Sequence, residues 1–407
     1  MRVLVADRLP EPSLDEIRAL GVDLVYEPEL SPDLLRHALE GVGVLIVRGT
    51  PVPEEAIEAA RALALIVRAG AGAANIDVAA ASRRGIYVAT CPGKNASAVA
   101  ELAFLLIASL DRRVPDAVAS LRAGRWEKDE YAQAVGLKGR TLGIAGVGHV
   151  GRAMIRFAQA LEMNVVGWSR SLGIARAAEL GIARVDRLEQ LAERSDVLSL
   201  HLELNDRTRA CVGRRVLEAL PPGASLVNTA RAELIDWDAL AEVAPRRHLR
   251  LGFDVLPGEP AARSGEYSHP ALAQLSEGTV VYATPHIGAS TDTAQLDIAT
   301  ECVRILRSFM VSGEVPNVVN IAVASRARYQ LVVRFRDKVG ALANVLGVLK
   351  RHGLNVQELD NTVFEGGRAG CAKIRLDTRP AEACLQEIMA FSDEVIHVQL
   401  VQLPNLA

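Results

Sequence analysis

An apolar run at residues 141–146 leads without a break into Gly146-Val147-Gly148-His149-Val150-Gly151 and then into a helix-forming stretch at 152–161. No other feature restricts the fold as much. A buried strand, a turn whose glycines tolerate backbone that side chains would obstruct, and a helix returning over the sheet make one βα unit. Such units assemble into parallel sheets covered by helices. The same grammar recurs on both sides. Short apolar runs at 3–6, 44–47, 65–68 and 86–88 alternate with amphipathic stretches such as 32–39 and 54–61. A long apolar helix at 98–112 then leads to runs at 141–146, 164–168, 197–200, 225–228, 251–255 and 280–283.

At 407 residues the chain exceeds what one core organises, so two or three domains are expected. A helical segment from about 290 to 312 has the length to cross back to the first α/β lobe. The expected division is therefore 1–97 with 291–315 as one lobe and 98–290 as the other. A polar linker at 316–328 contains Pro316, Asn317 and Asn320. Beyond it, 329–407 reads as β-α-β-β-α-β, with strands near 329–335, 354–363, 370–376 and 394–402 and helices near 340–352 and 381–391. That order is ferredoxin-like. The fold class is thus α/β: two Rossmann-like doubly wound parallel sheets plus a C-terminal ferredoxin-like α+β domain.

Several function classes are disfavoured. Lys and Arg total 46 against 49 Asp and Glu, a net charge of −3, which does not suit a general nucleic-acid binder. Five cysteines without CxxC spacing suggest neither a disulfide framework nor a metal site, and they fit the reducing cytoplasm. The most apolar stretch, 98–110, is too short for a membrane span and carries Glu101. The chain opens on a strand-like run with no leader pattern. The expectation is a soluble cytoplasmic protein with no membrane or nucleic-acid partner.

In its strand-to-helix context the glycine turn is a dinucleotide fingerprint. Gly146 permits the tight turn, Gly148 lets backbone approach a pyrophosphate, and Gly151 packs helix on strand. His149 and Val150 fall in the same contact zone. An acid at the end of the next strand normally receives the ribose hydroxyls. Here that strand ends Gly167-Trp168-Ser169-Arg170. Ser169 and Arg170 leave two readings open: NADP(H), with Arg170 on the 2′-phosphate, or NAD(H), with Arg170 stacked on adenine.

Three polar residues leave consecutive strand ends: Arg231 in Asn228-Thr229-Ala230-Arg231, Glu259 in Asp254-Val255-Leu256-Pro257-Gly258-Glu259, and His286 in Thr284-Pro285-His286-Ile287-Gly288. Oxidising a 2-hydroxy acid removes a hydroxyl proton while hydride leaves carbon, and histidine titrates where such a base must. Glu259 would fix the tautomer of His286 and raise its pKa. Arg231 would fork onto the substrate carboxylate. Asp254 is read either as a partner of the nicotinamide amide or as a loop cap. His201, after Ser199-Leu200, is the nearest rival for the base.

With these motifs in this order, the chain resembles the D-isomer-specific 2-hydroxyacid dehydrogenases. Val47-Arg48-Gly49-Thr50, Arg68-Ala69-Gly70-Ala71-Gly72, Asn75-Ile76-Asp77 and Asn95-Ala96-Ser97 extend the resemblance into the first lobe. Within the family it is most similar to the branch that oxidises 3-phosphoglycerate to 3-phosphohydroxypyruvate in serine synthesis. The resemblance implies His286 as acid/base, Glu259 as its partner and Arg231 as carboxylate clamp. It implies NAD, with NADP as the alternative, as cofactor. The backbone of Ala69, Gly70, Ala71 and Gly72 would cradle the carboxylate, with Arg48 and Arg68 facing a substrate phosphate and Asn95 nearby. Lys128 would reach that phosphate from a neighbouring subunit of a homodimer or homotetramer.

The tail resembles an ACT regulatory domain, which implies an amino-acid effector at Asp337 and Asn355. Val339 stands where that loop usually carries proline, and Phe335 where serine-sensitive relatives often carry histidine. A plain hydroxypyruvate or glyoxylate reductase is the alternative within the family. A dinucleotide-sensing binding protein, like corepressors of similar fold, is the alternative of another class.

Overall fold

The computed structural model describes residues 1–260, 265–276, 278–322 and 327–404. They form two compact units, 1–320 and 321–407.

Unit 1 contains two parallel sheets. The first joins β1 (Arg2–Val5), β2 (Asp23–Tyr26), β3 (Val44–Val47), β4 (Leu65–Arg68) and β5 (Tyr87–Thr90) in the order β2-β1-β3-β4-β5. β3 is apolar at every position and wholly buried, as a strand covered on both faces must be. One cover is the helix Asp292–Ser312, whose Ile298, Val303, Ile305 and Leu306 pack with Val3, Val5, Val44 and Val67. Thr291 caps this helix by accepting from the Ala294 N–H at 3.2 Å, and Gly313 ends it with φ of +74°.

The second sheet holds β6 (Thr141–Ala145), β7 (Asn164–Trp168), β8 (Ala183–Arg184), β9 (Val197–Leu200), β10 (Ser225–Asn228), β11 (Arg250–Phe253) and β12 (Val280–Ala283). Its order is β12-β11-β10-β9-β6-β7-β8. The helix Ala96–Arg112 lies against it so closely that a Cβ at Gly252 would sit 3.2 Å from the Leu110 side chain. The sheet order reverses between β6 and β9, and ligands of such sheets bind in the crevice beyond the strand ends at that point.

Unit 2 is a four-stranded antiparallel sheet of β13 (Tyr329–Arg336), β14 (Val356–Val363), β15 (Ala369–Leu376) and β16 (Val395–Gln402), ordered β14-β15-β13-β16. Helices Ala341–Arg351 and Glu382–Met389 share one core with it, built on Leu331, Val333, Phe335, Val345, Val348 and Ile374. This is the ferredoxin-like arrangement expected. Two strands go beyond the sequence reading, β2 and β8. Among the described residues, no helix is long and apolar enough to cross a membrane.

Candidate active site

The glycine turn is built as its spacing requires. Gly146 has φ of +100°, donates its N–H to the Trp168 carbonyl at 2.8 Å, and leaves no room for a Cβ, which would lie 2.4 Å from the His201 carbonyl oxygen. At Gly151 a Cβ would stand 2.1 Å from the Gly146 oxygen, so the helix can approach the strand only with glycine there. Gly148 differs: nothing lies within 4 Å of its Cβ position, and it caps the 12-residue helix His149–Ala160. An open surface over a helix N-terminus is what a pyrophosphate needs. Ser169 and Arg170 follow directly on β7, with Ser169 half-buried and Arg170 exposed. Among the described residues Arg170 has no acidic partner.

The acid–base pair forms at the C-terminal edges of β11 and β12. His286 Nδ1 lies 2.7 Å from Glu259 Oε2, leaving Nε2 as the other working nitrogen. That hydrogen bond raises the imidazole pKa above its ordinary value against burial, which lowers it; the nearby Arg231 charge also opposes it. Burial pushes the Glu259 carboxyl up. Hydrogen bonds from His286 and from the Leu256 N–H, with the charges of His286 and Arg231, outweigh it and hold Glu259 below the carboxylate range.

His286 itself has φ of +52°, a conformation costly for a side-chain-bearing residue unless its surroundings impose it. Asp254 imposes it. This carboxylate, 1% exposed, accepts from Thr284 Oγ1 at 2.7 Å and from the Ile287 and Gly288 N–H groups at 2.8 Å each. Its backbone carbonyl accepts from the His286 N–H at 2.9 Å. Asp254 is thus a cap of the 284–288 loop. His201 is a poor base, since burial lowers its imidazole to about 3, and its Nε2 pairs with Ser199 Oγ at 2.9 Å.

Arg231 is positioned by Asn228, a fully buried residue at the end of β10. Its amide donates to the Arg231 carbonyl at 2.8 Å and its Oδ1 accepts from the Ala230 N–H at 3.0 Å. From there Arg231 reaches the other lobe, where Nη2 would lie 3.6 Å from a Cβ on Gly72. Burial, then the charges of Arg231 and Arg48, lower the Arg68 guanidinium below its ordinary pKa. Three guanidinium groups thus share one region, which an anion would relieve. Arg68 donates through Nε to the Arg48 carbonyl at 3.1 Å and folds over Gly70.

The proposed backbone cradle is smaller than expected. The Ala69 N–H is spent on the Val47 carbonyl at 2.6 Å and that of Gly70 on the Arg68 carbonyl at 2.8 Å, and both residues are buried. Among the described residues only the Ala71 and Gly72 N–H groups of this run are without an acceptor. The preceding turn has an anchor the sequence reading missed. Asp7 Oδ2 accepts from the N–H groups of Arg48, Gly49 and Thr50 at 2.6, 3.1 and 3.1 Å. Asn95 is half-buried at the start of helix Ala96–Arg112, and the neighbouring Gly93 touches the His149 ring of the nucleotide turn. Lys128 stands exposed on the short helix Lys128–Tyr131.

In unit 2, Asp337 and Asn355 stand apart within the single chain. They lie beyond opposite ends of helix Ala341–Arg351, whose 11 residues span about 16 Å. Asn355 lines a shallow groove of about 640 Å³ with Leu346, Leu349, Lys350 and Leu359, to which Asp337 does not contribute. Phe335 is buried in the core.

Residues 104–288 match the family model described as "D-isomer specific 2-hydroxyacid dehydrogenase, NAD binding domain". The chain is 33% identical over 323 residues to the D-3-phosphoglycerate dehydrogenase of Methanocaldococcus jannaschii, covering 79% of this chain and 60% of that protein. It therefore spans about three fifths of that relative's length. It is also 33% identical to the glyoxylate reductase of Thermococcus litoralis, covering 78% of this chain and 96% of that one. Among solved structures, the NAD+-bound 3-phosphoglycerate dehydrogenase of Entamoeba histolytica superposes with a TM-score of 0.66 at 27% identity, over 79% of this chain and 99% of the other.

Proposed function

Since the chain belongs to the D-isomer-specific 2-hydroxyacid dehydrogenase family, we propose that unit 1 catalyses NAD(P)-linked interconversion of a D-2-hydroxy acid and its 2-oxo acid. The observation that carries this reading is the 2.7 Å pairing of His286 Nδ1 with Glu259, near Arg231 and at the same C-terminal edge of the parallel sheet as the glycine turn. The Gly146–Gly151 turn would hold the dinucleotide, with Ser169 and Arg170 at its adenosine end. When bound, the nicotinamide supplies the hydride acceptor or donor.

The chain's own residues manage the proton and the charge. Arg231, with the Ala71 and Gly72 N–H groups, holds the substrate carboxylate and so fixes the hydroxyl carbon. His286 Nε2 takes the hydroxyl proton in oxidation and returns it in reduction. Glu259 stabilises the resulting imidazolium and keeps the ring in one tautomer. Asp254 holds the loop that aims His286, and Asn228 the one that aims Arg231.

For the substrate we propose 3-phosphoglycerate and 3-phosphohydroxypyruvate. Arg48 and Arg68 close adjacent strand ends beside the carboxylate clamp, and the mutual repulsion of these cations is relieved by a dianionic group. The similar D-3-phosphoglycerate dehydrogenases support this reading, as the similar glyoxylate reductase supports the second one below. A glyoxylate or hydroxypyruvate reductase is the second reading, favoured by the Arg68 guanidinium folding back over Gly70. A panel of 3-phosphohydroxypyruvate, hydroxypyruvate and glyoxylate with NADH and NADPH tests both. The proposal expects kcat/KM for the phosphorylated acid to lead by at least tenfold, roughly what one charge-assisted contact supplies. It also expects Arg68→Ala to remove that lead. Equal or higher values for glyoxylate would establish the second reading instead.

A homodimer or homotetramer is the expected assembly. Val114, Val118 and Leu121 form an exposed i, i+4, i+7 stripe on helix Val114–Arg122, and Leu105 and Trp126 of the flanking segments are exposed as well, Trp126 at 81%. Such a stripe suits a second copy, which would also bring Lys128 of the partner towards the cleft. Unit 2 is read as a regulatory domain with the Asn355 groove as its effector surface.

A further inference from the structure

The end of unit 1 is bonded to its own substrate-side sheet. Residues 317–320 run antiparallel to β5: the Thr90 N–H donates to the Asn317 carbonyl at 3.2 Å and the Val319 N–H to the Val88 carbonyl at 2.9 Å. The Asn320 side chain completes the seam, accepting from the Val88 N–H at 2.9 Å and donating to the Ile86 carbonyl at 2.8 Å. The stretch expected as linker therefore starts with an antiparallel β-bridge to β5.

At the other end of this segment the Asn317 amide donates to Glu301 Oε1 at 2.7 Å. Glu301 lies on helix Asp292–Ser312 and is only 5% exposed. It also receives Arg304 at 2.6 and 3.0 Å and Lys94 at 3.4 Å. Lys94 belongs to the 91–95 loop that leaves β5. The same helix grips this loop again at Cys91, whose Sγ is 3.7 Å from the Ile298 carbonyl and 3.6 Å from Cys302 Sγ. The loop in turn meets both halves of the cleft. The Cys91 N–H donates to the Gly70 carbonyl at 2.8 Å, and Gly93 lies against the His149 ring.

A buried carboxylate among cations is a weak stabiliser, because desolvation offsets most of the attraction, whereas its geometry is specific. Glu301 gathers donors from the loop, the crossing helix and the exit segment at one point. We propose that Glu301 is a positioning residue that holds the 91–95 loop against the cleft. Asn317 makes this hold depend on the exit segment, so displacing 317–320 loosens the substrate side of the site. The proposal rests on the dehydrogenase reading for its kinetic effect, but not for the mechanical link.

The test uses the full chain with two variants, Glu301→Gln and Asn317→Gly. Neither residue is among those assigned to substrate or cofactor, and glycine suits the φ of +58° at Asn317. Hydrogen exchange over 87–96 is measured together with KM and kcat for the 2-oxo acid and Kd for NADH. For Glu301→Gln we expect exchange over 87–96 and KM each to rise roughly tenfold, as loss of a charge-assisted contact implies. kcat should stay within about twofold and NADH affinity should hold. Asn317→Gly should move the same quantities in the same direction by less, and it carries the test if the first variant does not fold. Folded variants with unchanged exchange and KM would overturn the proposal, as would parallel loss of kcat and NADH binding, which marks general unfolding. A wild-type chain inactive on every 2-oxo acid sinks the enzymatic reading alone, and exchange then decides whether Glu301 holds the loop.

Discussion

Arg231 and Gly72 meet across the cleft, with Arg231 Nη2 3.6 Å from the place a Cβ on Gly72 would take. That spacing is ordinary van der Waals contact. Gly72→Ala should therefore leave the guanidinium in place, while Gly72→Leu should push it aside. The expected result is near-wild-type KM for the oxo acid in the alanine variant. In the leucine variant KM should rise by roughly tenfold or more, as misplacing a clamp does. Equal kinetics in both would mean that Arg231 does not work at this position.

The Glu259–His286 pair predicts a pH signature. The hydrogen bond that His286 donates to Glu259 is the largest cause of the raised His286 pKa. Oxidation needs the neutral ring, so its rate should climb as pH rises through that raised value, while reduction, which needs the imidazolium, should fall. Glu259→Gln removes the main raising cause. Both limbs of the kcat/KM profile should then move to lower pH, and limbs that stay in place would detach Glu259 from the proton transfer.

Asp254 gives a stability prediction. Asn in its place keeps one acceptor oxygen but turns an NH2 group towards the buried N–H groups of the 284–288 loop. Asp254→Asn should cost roughly 2–4 kcal/mol in thermal or denaturant unfolding, from donors left unpaired. It should also lower kcat, because His286 loses its imposed backbone conformation. Unchanged stability would mean that the carboxylate is not the cap the structure depicts.

Much of this arrangement was legible in the chain because parallel strands announce themselves locally. Runs such as 44–47 and 65–67 are apolar throughout, and polar residues placed just past such strands must emerge at one sheet edge. β2 escaped because Asp23–Tyr26 is an edge strand paired only with β1 and nowhere fully buried. β8 is two exposed residues long. The supports of the site were silent for another reason. Asp7 reaches Arg48 over 41 positions, and Glu301 gathers residues from three segments, so neither leaves a local pattern. Asp337 and Asn355 lie at opposite ends of one helix, a separation that spacing in sequence does not reveal.

Cofactor choice turns on Arg170. With no acid after β7 and no acidic partner among the described residues, its guanidinium is open to either role, on a 2′-phosphate or on the adenine face; the 2′-phosphate reading makes the prediction that follows. Arg170→Ala should lower kcat/KM with NADPH by roughly tenfold and leave NADH within about twofold. Equal losses would favour stacking on adenine, common to both cofactors.

The most direct measurement is NADH oxidation by the wild-type chain and by His286→Ala in the presence of a 2-oxo acid, with NADH affinity followed by fluorescence. The account predicts steady turnover in the wild type, a fall in kcat of at least about a hundredfold in the variant, and unaltered NADH binding. A variant that retains its kcat would contradict the role assigned to the His286 imidazole, and with it the mechanism built on the Glu259 pairing.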